Sequence, residues 1–131
     1  MNSMVRSLAA AAGLALSIAA THALAGAKDY TFEPVSVDVR KGDASELAVR
    51  LINKQTGKPV AGATLLRTRL DMSPENMASM TTNHTVLPST EPGVYKFRAD
   101  LTMVGAWALT VVAKVPGETE TVQGTVLFKA K

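Results

Sequence analysis

Glu91-Pro-Gly-Val-Tyr-Lys-Phe-Arg-Ala-Asp100 sets a Pro-Gly turn ahead of Tyr95, Phe97 and Ala99, which alternate with Lys96, Arg98 and Asp100. Apolar residues at every second position behind a turn mark a strand with one face buried and the other in water. The pattern repeats outward from there. Trp107, Leu109, Val111 and Ala113 give the next strand, and Val122, Val126 and Phe128 the last. Upstream, Leu47, Val49 and Leu51 form one face of a strand ended by the turn-rich Asn53 to Pro59. Val35, Val37 and Val39 alternate with Ser36, Asp38 and Arg40 as a first strand. A third strand is expected from about Ala63 to Asp71, with Leu66 and Leu70 inward and Arg67 and Arg69 outward, and Thr85 to Leu87 forms a short one. Residues 73–83 read as a polar loop, and no window sustains a helical three-four repeat over three turns.

About seven short strands with turn signals roughly 8 to 12 residues apart predict an all-β, immunoglobulin-like antiparallel sandwich. A small open barrel would satisfy the same pattern. Ahead of this domain, Arg6 precedes an unbroken apolar and small-residue stretch from Leu8 to Ala20, followed by Ala23-Leu24-Ala25. The stretch is short of the roughly 18 residues needed to cross a bilayer as a helix. Its layout is that of a secretory signal peptide over 1–25, cut after Ala25, leaving a domain of 26–131. With no Cys, no lipidated cysteine can anchor the new terminus, so the product is expected free in an extracytoplasmic, periplasmic compartment.

Loss of Arg6 leaves thirteen Lys and Arg against eleven Asp and Glu, a net charge of +2. The cations are dispersed along strands without aromatic interleaving, which argues against nucleic acid as a partner. Catalysis is equally poorly supplied. The domain holds one His, His84, and no Cys, no Gly-rich phosphate loop and no carboxylate pair placed as an acid and base couple, so the chain is not expected to be an enzyme.

Methionine is what remains. Outside the leader, every Met falls at a strand end or in a connection: Met72, Met77 and Met80 in Asp71-Met-Ser-Pro-Glu-Asn-Met-Ala-Ser-Met80, and Met103 in Leu101-Thr-Met-Val-Gly105. A thioether is a soft neutral ligand that prefers Cu(I), and Ag(I) by the same logic, to harder ions. It also survives an oxidising compartment where thiols pair. If the strands simply alternate direction, the third-to-fourth and fifth-to-sixth connections lie at one end of the sandwich, bringing these methionines to one pole. His84, at the far edge of the first connection, is a candidate imidazole ligand. Trp107 lies near enough to shield a bound ion.

Each residue also has a plain packing role open to it. Met72 shares inward parity with Leu66 and Leu70 and fits a core position, since methionine fills irregular gaps. Met77 and Met80 are three apart and would be neighbours on a helical turn with Ser73 as N-cap and Pro74 at its first position, capping the open end of the sandwich. Met103 sits in a turn that has no evident need of a hydrophobe. A lone His such as His84 is ordinarily a hydrogen-bonded surface residue, and Trp107 a core residue.

Several segments together resemble a known family. Gly57-Lys-Pro-Val-Ala-Gly-Ala63, Asp71-Met72 with its following methionines, Glu91-Pro-Gly-Val-Tyr-Lys-Phe-Arg-Ala-Asp-Leu-Thr-Met103 and Gly105-Ala-Trp-Ala-Leu-Thr110 are similar in order and spacing to the YtkA-like, or FixH-like, domain over roughly 53–118. The resemblance implies a periplasmic immunoglobulin-like module associated with copper handling, heavy-metal efflux or cytochrome oxidase assembly. It fixes no ligands, because members vary in their methionines. FixH proteins proper resemble membrane-anchored factors, and the expected cleavage here favours the free, metal-binding branch. The expectation is therefore a periplasmic protein that binds Cu(I) through Met72, Met77, Met80, Met103 and His84 and passes it to an efflux or oxidase-assembly partner. The alternative is an adaptor module without metal.

Overall fold

A computed structural model describes residues 27–131; the leader expected over 1–25 lies outside them. After a 3-10 turn at Ala27–Asp29 come β1 (Tyr30–Pro34), β2 (Asp38–Val39), β3 (Gly42–Asn53) and β4 (Thr64–Met72). A second 3-10 turn, Ser73–Glu75, leads to β5 (Met77–Thr81), β6 (His84–Leu87), β7 (Val94–Leu101), β8 (Gly105–Lys114) and β9 (Thr121–Ala130). The strands form two sheets, ordered β1-β3-β7-β6 and β2-β9-β8-β4-β5. All pairings are antiparallel except the short β2 with β9. The orders A-B-E-D and G-F-C define an immunoglobulin sandwich, and β1-β3-β7-β6 and β9-β8-β4 reproduce them.

The inward residues of β3, β7, β8 and β9 make one core in which Leu47, Val49, Leu51, Phe97, Trp107, Leu109 and Phe128 are fully buried. Period two accounts for this directly. Lys96 and Arg98 stay outside while Phe97 and Ala99 meet the facing sheet. Burying each large aliphatic side chain contributes roughly 1.5–3 kcal/mol.

The structure corrects three expectations. The first strand is Tyr30–Pro34, not the Val35-Val37-Val39 series. Phe32 is buried there, whereas Val35 and Val37 are exposed where the chain crosses from one sheet to the other before β2. Proline, which cannot donate to a ladder, closes β1. Leu66 does not point inward. A bulge between Leu65 and Arg67 shifts the alternation, leaving Leu66 exposed and Leu65 packed on the core. Residues 73–83 are also not a bare loop, since they contain β5, which pairs with the end of β4.

Gly42 is paired with Leu101, and Gly105 with Ala130. The connections before β3, after β4 and between β7 and β8 therefore share one pole, as simple alternation of strand direction predicts. Among the described residues, no helix is long and apolar enough to cross a membrane.

Candidate metal pole

Met72 is the last residue of β4 and has no exposed surface. Its Cα partner across the next connection is Met77, the first residue of β5. The helical turn expected to hold Met77 and Met80 stops before reaching them. Ser73–Glu75 is a single 3-10 turn with Pro74 in its first positions, and Asn76, at φ 61°, ends it in the left-handed region that asparagine tolerates. Met77 and Met80 then lie on β5, both half-buried and packed against the core. The shift in register between Asp71, opposite Thr81, and Met72, opposite Met77, places a bulge between them.

Met103 occupies the β7–β8 turn and is 37% exposed, next to Val104 at 61%. The indole Nε1 of Trp107 donates to the Met103 carbonyl at 3.1 Å. Trp107 is itself fully buried, so it anchors the turn from beneath and offers no ring face to solvent.

Gly105 joins this turn to the other connection. At φ +133° it adopts a backbone that L side chains rarely take, and a Cβ there would lie 3.0 Å from Glu75 Oε2 and 3.1 Å from the Met72 methyl. The Glu75 carboxylate closes the contact by accepting from the Ala106 N–H at 2.8 Å. At the root of the same turn, Asp71 accepts from the Ser73 N–H at 2.9 Å and pairs with Arg69 Nε at 2.7 Å. Arg69 also donates to the Ala78 carbonyl at 2.7 Å, which ties β5 to β4. Burial pushes the Asp71 carboxyl up, but the hydrogen bonds from Ser73 and the Arg69 guanidinium outweigh it and hold it below the usual carboxylate range.

His84 sits elsewhere. Its Nε2 is 2.6 Å from Thr68 Oγ1, its Nδ1 is 3.3 Å from the Thr82 carbonyl, and its ring meets Phe97 edge-on at 6.5 Å between centroids. Thr68 precedes Met72 by four residues of β4, about 13 Å at about 3.3 Å per residue. His84 thus bridges the flank where β6 of one sheet passes β4 of the other. The structure brings Met72, Met77, Met80 and the Met103 turn to one pole and leaves His84 outside it.

Among the described residues, no group of three or more His, Cys, Asp or Glu is placed to hold a metal. The pole gathers thioethers together with the Asp71 and Glu75 carboxylates, both already engaged in hydrogen bonds to backbone N–H groups. Sequence reasoning missed Glu75 and Gly105. Their contact joins positions about thirty residues apart, and no local pattern marks it.

Comparison with curated proteins gives no significant match. Among solved structures, the chain is similar to the Lin-41 filamin domain, at 15% identity and a TM-score of 0.43, with 76% of this chain and 94% of that one covered. The model of the YtkA-like family matches residues 24–112, from ahead of β1 into β8, and β9 then completes the second sheet outside the match. The match spans well over half of the sequence and both methionine-bearing connections: the chain belongs to the YtkA-like family.

Proposed function

We propose that this protein binds Cu(I), with Ag(I) as its chemical equivalent, at the methionine pole. It acts outside the cytoplasm as a carrier or accessory for a heavy-metal efflux or homeostasis partner. The observation behind this reading is the convergence of Met72, Met77, Met80 and Met103 from separate connections on one end of the sandwich. Soft thioethers favour a soft ion, and among the described residues no group of three His, Cys, Asp or Glu stands ready for a harder one. Met77, Met80 and Met103 are the ligands nearest solvent, Met72 lies behind them, and His84 serves the flank. The role is non-catalytic.

The test is the double variant Met77→Leu with Met80→Leu. Leucine conserves volume and apolarity, so the fold should lose less than about 1.5 kcal/mol. Cu(I) affinity should fall at least tenfold, by about 1.4 kcal/mol. Unchanged affinity would remove these two residues from the site.

A second reading rests on Val104, which at 61% exposure stands beside Met103 at the tip of the same pole. An apolar, adaptable tip suits contact with a protein partner such as an oxidase-assembly component. Capture of one periplasmic partner equally with and without a copper chelator would favour that adaptor role.

A further inference from the structure

Met72 closes a strand at a pole whose next four residues, Ser73 to Asn76, are all exposed, yet Met72 itself has no exposed surface. It belongs to the core, and its methyl reaches the same point beside Gly105 as the Glu75 carboxylate of the strap formed by those residues. The strap is internally tight, with the Asn76 N–H donating to the Ser73 carbonyl at 2.9 Å, and it is pinned at its root by Asp71. Glu75 supplies the hydrogen bond that joins it to β8. At Gly105 a Cβ would stand in tight contact with both the strap carboxylate, at 3.0 Å, and the Met72 methyl, at 3.1 Å.

We infer that Glu75 is the latch of this strap: its bond to the Ala106 N–H seals the Met72 thioether, and an ion reaches Met72 only when that bond opens. The statement about the ion rests on the copper reading above. The latch itself rests on geometry. Glu75 is a positioning residue in this account and need not be a ligand. A carboxylate accepting from a backbone amide makes a charge-assisted bond, stronger than a neutral one, yet this one stands at the surface where a single turn can lift without unfolding the sandwich. Gly105 is the complementary part, because a side chain at that position would press on the Glu75 carboxylate and the Met72 methyl together and would strain a backbone at φ +133°.

Methionine oxidation reads the latch without any metal. Peroxide transfers one oxygen to an accessible thioether, giving the sulfoxide and water, and peptide mass spectrometry of the described domain assigns each site. In the unaltered protein Met103 should oxidise first and Met72 roughly tenfold slower or more, because its attack requires opening. Glu75→Ala should raise the Met72 rate by about tenfold, the scale of a lost charged hydrogen bond, while the Met103 rate stays level. Glu75→Gln keeps an acceptor oxygen and should stay within about threefold of the unaltered protein. Gly105→Ala, which presses on the Glu75 carboxylate and the Met72 methyl, should raise Met72 oxidation as well. Equal Met72 rates in the unaltered protein and Glu75→Ala, or a Met72 rate matching that of Met103 from the outset, would overturn the latch. Ag(I) titration of the same proteins separates the two readings. Faster or tighter uptake by Glu75→Ala supports access through the strap. Absence of binding in every variant would overturn the metal reading and the statement about the ion, while the oxidation rates still decide the latch.

Discussion

Trp107 Nε1 donates to the carbonyl of Met103 at 3.1 Å, so the largest fully buried side chain of the core holds in place the turn that carries the most exposed methionine. Packing and site are thereby coupled. The same ring that fills the space between the sheets fixes the backbone from which the Met103 thioether projects. Trp107→Phe keeps an aromatic ring but removes the donor and part of the volume. It should cost about 1–3 kcal/mol in urea unfolding and raise hydrogen exchange in the β7–β8 turn.

His84 gives a test of which residues belong to the pole. Its two ring nitrogens lie at hydrogen-bond distance from Thr68 and Thr82 on the flank. His84→Ala should lower stability by about 1–2 kcal/mol through the lost bonds and ring contact, and leave Cu(I) affinity unchanged. A large drop in affinity would return His84 to the ligand set.

Gly124 lies on β9 under Phe32, and a Cβ there would come within 2.6 Å of the ring carbon Cδ2. Gly124→Ala forces the buried Phe32 ring aside and should cost about 1–3 kcal/mol by thermal or urea unfolding. Phe32→Leu should relieve part of that loss, giving non-additive effects in a double-mutant cycle.

Two groups should shape the pH dependence of stability from opposite ends. The folded-state carboxyl of Asp71 titrates below its ordinary value, so its contribution is present above about pH 4 and is lost as pH falls through the folded value. Asp71→Asn should flatten the acid limb of the stability profile. The Tyr30 hydroxyl donates to Glu118 at 2.6 Å, and this bond to a carboxylate, with burial and the negative charges nearby, pushes its pKa up to about 12. The neutral phenol is the form held by the fold. Its contribution is therefore present below pH 10 and is lost as pH rises from 10 toward about 12, a loss that Tyr30→Phe should remove.

The fold was legible wherever a strand is regular and half-buried. Phe97 and Ala99 flank an exposed Arg98, and Leu109, Val111 and Ala113 are buried on either side of the half-buried Thr110 and Val112, so period two shows in both strands. Reading failed where a bulge resets the alternation. Leu66 obeys the parity of Leu70 in sequence, but the extra residue near it turns it out to solvent. Met77 and Met80 are likewise three apart, a spacing that suits a helical turn, yet they lie half-buried on a strand whose pairing with β4 shifts register between Asp71 and Met72. Convergence of the methionine connections could be deduced from strand direction alone. The strap beside Met72 could not, because the Glu75–Ala106 bond and the close approach at Gly105 exist only once β4 and β8 are side by side.

If the pole takes a soft monovalent ion, an anaerobic competition titration of residues 26–131 against a chromogenic Cu(I) chelator, with Cu(II) and Zn(II) in parallel, should give tight one-to-one binding of Cu(I) and weak binding of the other two. Cu(I) affinity no better than the micromolar range, or equal affinity for Zn(II), would contradict that reading.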